Sequence, residues 1–444
     1  MRYHIEKGLD LKLAGAAAQE WESWQTPACC YIHPSDFKWL IPRLSVQEGD
    51  AVEIGTPLFH DKDDERIEIV SPVNGIVKQI VRGEKRHLRA VVVETSNPQI
   101  SSKIDFSDPG NAEEYRLLML QHGLWPLLRQ RPYSTIPNPD VKPKAVFVSC
   151  FDSAPLAPDY AFMMKGREED LHAGVQAVQV VADAPIHLCM REGTDNEMFD
   201  NIPNVEKHYF SGPHPAGNVG TQIHRIAPLS KGDVVWYISP MELAIIGHFF
   251  RCHELSFEKT VAITGPCVQH PDYVNMVYGA DLTLLLQERI SDANARKISG
   301  NILTGQVLDE YPSVRFHDQQ ITAIEEGGQR EFLGWLLPGI RKWSLSHTFL
   351  SWLTPKREYR FNTSLHGGRR TFMMTDVYEK VFPFDILPLQ LLKSCAIKDI
   401  EQMEALGIYE VEDEDFALCE VVCPSKIECQ KIVEEAMKEL RDNS

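Results

Sequence analysis

Between Ala145 and Cys252 the chain switches repeatedly between two hydrophobic periods, and no other feature limits its fold as strongly. Ala145-Val-Phe-Val-Ser149, Ile186–Cys189 and Asp233-Val-Val-Trp-Tyr-Ile238 are short apolar runs of strand length. Asp170–Val181 and Met241–Cys252 between and after them read as helices. Strands that alternate with helices imply crossover connections, hence a parallel, Rossmann-like sheet. Ligands on such sheets sit beyond the C-terminal ends of the strands.

The regions on either side follow other patterns. Residues 1–106 are β-rich: Gly49, Gly55 and Gly75 punctuate β-branched pairs as hairpin turns do, and Val46, Val52 and Ile54 fit half-buried strands. A helix is expected from about Asn111, its cap, to Gln130, with Tyr115, Leu118, Met119 and Leu120 as its apolar stripe. From Lys259 a small mixed module begins with Val261-Ala-Ile-Thr-Gly-Pro266, and a connecting stretch follows it. The last sixty or so residues are helical by pattern. Ser425 and Glu428 have capping-box spacing, and Cys429, Ile432, Val433, Ala436, Met437 and Leu440 form one stripe expected to be buried.

Charge and composition exclude several functions. The 444 residues include 45 Lys and Arg against 63 Asp and Glu, a formal charge of −18. Nucleic-acid binding needs a basic footprint on the phosphates, so nucleic acid is not an expected partner. Docking on a membrane protein stays open. No apolar run approaches the roughly 18 residues that span a bilayer; Ala244–Phe250 and Phe332–Leu337 are the longest. Glu6, Asp10 and Lys12 break the pattern of a signal peptide ahead of Ala14–Ala18. The 10 cysteines are scattered, which suits reduced thiols. A cytoplasmic protein is expected.

Few residue groups have the makings of a site. Lys62, in Asp61-Lys-Asp-Asp-Glu-Arg66, lies between Gly49-Asp50-x-Val52 and Pro72-Val-x-Gly75, a pattern shared with biotinyl and lipoyl carriers. It lacks the Met-Lys-Met hairpin, and a charged, solvated loop is the expectation. His214 stands between two prolines in Gly212-Pro-His-Pro-Ala-Gly217, a turn of restricted geometry with no catalytic partner in sight. His248 and Cys252 are one helical turn apart, too few ligands for a metal centre. The acidic run Glu410–Asp415 is expected to be a solvated cap on the helix that follows. Near the C-terminus, Cys419-x3-Cys423-Pro424 with Cys429 falls short of the four thiolates that hold an iron–sulfur cubane.

Lys7-Gly-Leu-Asp-Leu11, Gly123-Leu-Trp125 with Arg129-x-Arg-Pro132, and Gly212–Gly217 recur in one order with Ile298-Ser-Gly-Asn-Ile-Leu-Thr-Gly305 and Phe332-Leu-Gly-Trp335 with Pro338-Gly339. Asp415-x-Ala-Leu-Cys419 and Val422-Cys-Pro424 close the series. In this order and spacing the chain resembles, over essentially its whole length, the NqrA family of sodium-translocating NADH:quinone reductases, relatives of the flavoprotein component of complex I and the RnfC-type component of Rnf complexes. The resemblance implies a multidomain α/β protein. Its expected parts are a biotinyl/lipoyl-like barrel-sandwich over 1–106, a helical connector and Rossmann-like domain over 107–256, and a β-grasp module of the soluble-ligand-binding (SLBB) type over 257–330. A connecting segment over 331–380 and a C-terminal helical domain over 381–444, bearing the degenerate motif Cys419/Cys423, complete it.

The family likeness also implies a soluble, peripheral component on the cytoplasmic face of the bacterial inner membrane. The membrane-embedded NqrB component is its expected direct neighbour, and NqrC, NqrD, NqrE and NqrF share the complex. NADH oxidation is assigned to NqrF. Electrons pass through FAD, FMN, riboflavin and iron–sulfur centres on the other components to ubiquinone while sodium is exported. The relatives carry a glycine-rich flavin-phosphate loop where this chain has Gly123-Leu-Trp-Pro-Leu-Leu-Arg-Gln-Arg-Pro-Tyr-Ser-Thr-Ile-Pro137. Bulky residues there would block a phosphate that needs bare backbone N–H groups. No cofactor and no catalytic residue is therefore expected in this chain. A flat quinone ring against Arg131, Pro132, Tyr133 and Ser134 is the candidate contact. The alternative is an independent flavin or iron–sulfur electron-transfer component of an Rnf-like complex.

Overall fold

The computed structural model describes residues 1–23, 26–96, 99, 101, 103–328, 339, 342–345, 348–373 and 376–443. Phe332-Leu-Gly-Trp335 and Pro338 lie outside them. Among the described residues no helix is long and apolar enough to cross a membrane.

Two small antiparallel sheets make the β-rich part. One orders Cys29–Ile32, Leu88–Thr95, Gly75–Arg82 and Ala51–Val52; the other orders Pro42–Leu44, Pro57–Asp61 and Glu68–Val70. Alternation places Val52, Leu58, Phe59, Val77, Val91 and Val93 inside. Gly49 turns with φ +93°, where a side chain would be strained. Lys62 is exposed on the turn between two of the strands, and Arg66 beside it pairs with Asp64 and Asp140.

The alternating region forms a six-stranded sheet in the order Arg2–His4, Glu206–Ser211, Ile186–Arg191, Val146–Ser149, Val235–Ile238, Arg129–Arg131. All neighbours run parallel except the last pair. Three of its strands, Arg2–His4, Glu206–Ser211 and Arg129–Arg131, were not expected. The chain's first strand pairs here with Glu206–Ser211, although residues 1–106 read as one β-rich region. The expected helix Asn111–Gln130 is the other change. Asn111 does cap it, accepting from the Glu114 N–H, but it spans only Ala112–Gln121. Gly123, at φ +66°, and Pro126 end it, since one suits a left-handed stop and the other lacks a donor. A short 3-10 turn, Trp125–Leu127, then leads into the edge strand Arg129–Arg131.

Helices Glu168–Ala182 and Pro240–Cys252 pack against each other at close range. A Cβ on Gly174 would lie 1.9 Å from the Leu243 carbonyl oxygen, and one on Gly247 1.7 Å from that of Asp170. Only glycine lets these backbones meet.

A fourth sheet orders Gln306–Val307, Arg296–Ser299, Gln320–Ile324, Glu258–Thr264, Asp272–Val277 and Trp21–Ser23, with helix Thr283–Arg289 beside it. C-terminal to these, helices Pro388–Ile397, Ile400–Ala405, Ala417–Val422 and Cys429–Asp442 share an apolar core that includes Phe382, Leu391, Met403, Phe416, Val433 and Met437. The stripe from Cys429 to Leu440 is buried as expected, with Ile432 at its margin. The expected capping box is not formed. Glu428 pairs with Arg369, and the Ser425 hydroxyl is buried without a partner. Glu420, from the preceding helix, accepts the Gln430 N–H at 2.8 Å instead.

Candidate functional site

The loop after the edge strand Arg129–Arg131 is closed by the Gln130 N–H donating to the Thr135 carbonyl at 2.8 Å. Within that turn Arg131 and Pro132 are buried, while Tyr133 and Ser134 are half-buried. Tyr133 (φ +83°) and Ser134 (φ +51°) both adopt left-handed backbone. Trp39, which faces them, does so as well at φ +62°. Such conformations cost about 1–3 kcal/mol each and persist where surrounding structure imposes them.

The imposing structure is the acidic run. Expected to be solvated, Glu410–Asp415 is instead an interface in which each carboxylate has a cation or imidazole partner. Arg131, 2% exposed, donates to Glu414 and, at 3.2 Å, to Asp415, which is 3% exposed. Lys38 lies 3.0 Å from Glu412 and 2.6 Å from Asp413. Glu410 pairs with His224 at 2.7 Å. Glu412 and Asp415 also form a reciprocal capping box at the start of the 3-10 turn Asp413–Phe416. The chain's path brings these cations to the run, and local sequence carries no sign of it.

Several carboxylates crowd one guanidinium. Burial alone would lower the Arg131 pKa, but Asp415, Glu414 and Glu412 together raise it. The Asp415 carboxyl is pushed up to about 7, by burial first and by Glu414, with Arg131 only partly offsetting. The two directions have different causes: burial dominates at Asp415, whereas three carboxylates together outweigh burial at Arg131.

Against this charged floor lies an aromatic pair. The Trp39 and Tyr133 rings are 5.8 Å apart and tilted by 57°. Lys38 and Arg441 lie 5.1 and 5.3 Å from the Trp39 ring centre. Arg129 and Arg131 lie 4.5 and 5.9 Å from the centre of the Tyr237 ring. Lys38, Trp39 and Arg441 were missed by sequence reasoning, since no local signal marks them. The rest of the loop is filled by side chains: Trp125, Leu127 and Leu128 are buried, and the Trp125 indole donates to the Pro137 carbonyl at 2.8 Å.

Cys419, Cys423 and Cys429 are all buried in the C-terminal core. The Tyr378 hydroxyl lies 3.0 Å from the Cys423 sulfur, and the Cys429 thiol donates to the Ile427 carbonyl at 3.6 Å. Burial pushes the Cys419 and Cys429 thiols up, away from the thiolate a cluster requires. Three buried thiols, one of them hydrogen-bonded to a phenol, do not fit a four-thiolate cluster.

The other candidates are structural in character. His214 is 4% exposed and lies 3.0 Å from the Ser153 hydroxyl. Asp10 accepts its backbone N–H at 2.9 Å, so no acid orients the ring. Burial lowers its pKa to about 4. His248 and Cys252 gain Asp170 as a neighbour, but Arg251 already holds that carboxylate at 2.7 Å. A further buried network joins the two six-stranded sheets. Glu242 pairs with Arg129 and His317, and Lys259, 4% exposed, donates to the carbonyls of Arg315, Phe316 and Asp318 at 2.8, 3.2 and 2.9 Å. Burial lowers the Lys259 pKa to about 8.

These features define a multidomain α/β protein whose acidic run Glu410–Asp415 is tied by ion pairs to Lys38 and Arg131, far away in the sequence. Family models match along its length: the NqrA N-terminal barrel-sandwich hybrid domain at residues 3–96, the NqrA second alpha/beta domain at 111–255, and the NQRA C-terminal domain, of SLBB type, at 260–310. The A chain of the Na(+)-translocating NADH-quinone reductase of Rhodopirellula baltica is 35% identical over 97% of this chain and 96% of that protein. Proteins of the same description from Haemophilus influenzae (34%, covering 98% of each chain) and Neisseria meningitidis serogroup A (35%, covering 98% and 99%) agree. The chain belongs to the NqrA family, components of the Na(+)-translocating NADH-quinone reductase, an oxidoreductase complex.

Proposed function

We propose that this chain is the peripheral, cytoplasmic-side scaffold of a sodium-exporting NADH:ubiquinone reductase, that it contacts the membrane-embedded NqrB component, and that it carries no redox centre of its own. In this reading NqrC, NqrD, NqrE and NqrF complete the complex, and FAD, FMN, riboflavin and iron–sulfur centres sit on components other than this chain. The six-stranded sheet is read as Rossmann-like, and residues 381–444 as a separate helical domain. The observation that carries the proposal is the filling of both cofactor positions: bulky side chains occupy the Gly123–Pro137 loop, and the three remaining thiols are packed in the C-terminal core with Tyr378 on Cys423. The purified chain is expected to show no flavin or charge-transfer absorption and no iron. A stoichiometric flavin or cluster would favour the alternative, an electron carrier of Rnf type.

The Arg131–Ser134 turn with Trp39 is read as a contact for the quinone ring. A half-buried aromatic pair flanked by cations suits a flat, electron-poor ring. Arg131 positions the turn from beneath, and Tyr133 offers its face. In the assembled complex, Tyr133→Ala and Trp39→Ala are expected to raise the KM for quinone by about two- to tenfold and to leave NADH oxidation by an artificial acceptor unchanged. A photoreactive quinone that labels only the membrane-embedded components would overturn this part.

A further inference from the structure

Toward the opposite edge of the six-stranded sheet from Arg131, His187 and the pair Glu206 and His208 meet across two adjacent parallel strands. Register places His187 opposite Glu206 and Cys189 opposite His208, so residues 187, 206 and 208 lie on one face. We propose that His187, Glu206 and His208 bind a divalent transition-metal ion, zinc by the preference of this donor set, as a clip between the two strands.

Geometry carries the assignment. His187 Nδ1 is 3.0 Å from His208 Nε2, and a Glu206 carboxylate oxygen is 3.3 Å from the first and 3.8 Å from the second. Metal–ligand bonds of zinc to imidazole and carboxylate imply an edge of about 3.3 Å between donors in a tetrahedron. The three donors thus stand near the corners of one tetrahedral face. Two imidazoles and a carboxylate are also the ligand types zinc takes, with the fourth position left to water.

The surroundings favour a cation. His187 and His208 are 6% and 2% exposed, held by the Phe147 and Tyr3 rings, whereas the Glu206 side chain is 60% exposed and opens a route for the ion. Without a cation these facing nitrogens and the carboxylate oxygen compete for too few protons. Among the described residues no lysine or arginine pairs with Glu206. The Asp170–His248–Cys252 group differs on this point, because Arg251 occupies its carboxylate.

The test uses the full-length chain, stripped with a chelator and titrated with cobalt(II) and zinc. One equivalent of cobalt is expected to bind with the strong visible absorption of a tetrahedral site and to be displaced by zinc. Zinc should also raise the Tm of the chain. His187→Ala and Glu206→Gln are expected to abolish the absorption and the Tm shift, and His248→Ala to leave both intact. Glu206 is exposed, so Glu206→Gln retains the fold and keeps the test decisive if the histidine variant misfolds. Absence of saturable binding, binding unchanged in Glu206→Gln, or loss of binding in His248→Ala would overturn the proposal.

Discussion

Truncating Arg131 to alanine leaves Asp415 buried without its guanidinium. Removing one partner of a buried pair costs about 3–5 kcal/mol, and denaturant unfolding of Arg131→Ala should show a loss of that size. Adding Asp415→Asn should return part of it, the coupling that a double-mutant cycle isolates. Lys259 gives a pH signature. Its folded pKa of about 8 lies below the ordinary 10.5, so between these values the unfolded chain binds the extra proton. Stability from this group therefore rises with pH across that window, by on the order of 3 kcal/mol. Unfolding of wild type and Lys259→Met followed from pH 8 to 10.5 should show the rise in wild type alone. Neither residue is legible as special in the sequence. Arg131 stands out there only as part of a motif, and Lys259 only as the start of a strand, because partner carbonyls more than fifty residues away give no local signal.

At the scale of elements, period and capping chemistry behave differently. The stripes that mark Glu168–Ala182, Pro240–Cys252 and Cys429–Asp442 follow from 3.6-residue repetition and are buried accordingly. Caps depend on finer geometry. Ser425 and Glu428 have the right spacing, yet Glu428 pairs with Arg369 instead, whereas Ser239 and Glu242 form a complete capping box with Pro240 at its first helical position. Ser239 also accepts from the Gln319 amide at 2.9 Å. Ser239→Ala should cost about 1–2 kcal/mol, while Glu428→Ala should cost less than about 0.5 kcal/mol, what an exposed pair is worth. Thermal unfolding of the two variants separates the cases. The expected helix to Gln130 failed for a related reason: an apolar count extends a helix past Gly123 and Pro126, whose backbone constraints end it.

For the molecule as a whole, thiol accessibility reports how the parts are closed. Cys29 and Cys252 are partly exposed, and the other eight cysteines are buried. Alkylation of the native chain should therefore stop at two thiols, and all ten should react after unfolding, as intact mass will show. Early modification of Cys419, Cys423 or Cys429 would mean that the C-terminal core opens independently. That core is tied to the rest of the chain by the pairs Lys38–Glu412, Arg131–Asp415 and His224–Glu410. Three elements distant in sequence thus anchor one acidic run, which a reading by composition alone treats as solvated surface.

The sequence by itself determined the alternation of strand and helix, the family, and the shortage of thiolates, because backbone period, motif order and residue count are properties of the chain read in line. Only the tertiary structure decided that Arg2–His4 join the parallel sheet, that Glu412 and Asp415 are buried within the acidic run, and that Trp39 meets Tyr133. Arg131 and Asp415 are 284 positions apart, and a Coulombic partner is chosen by distance in space. The desolvation that makes such a pair matter exists only once the chain has folded around it.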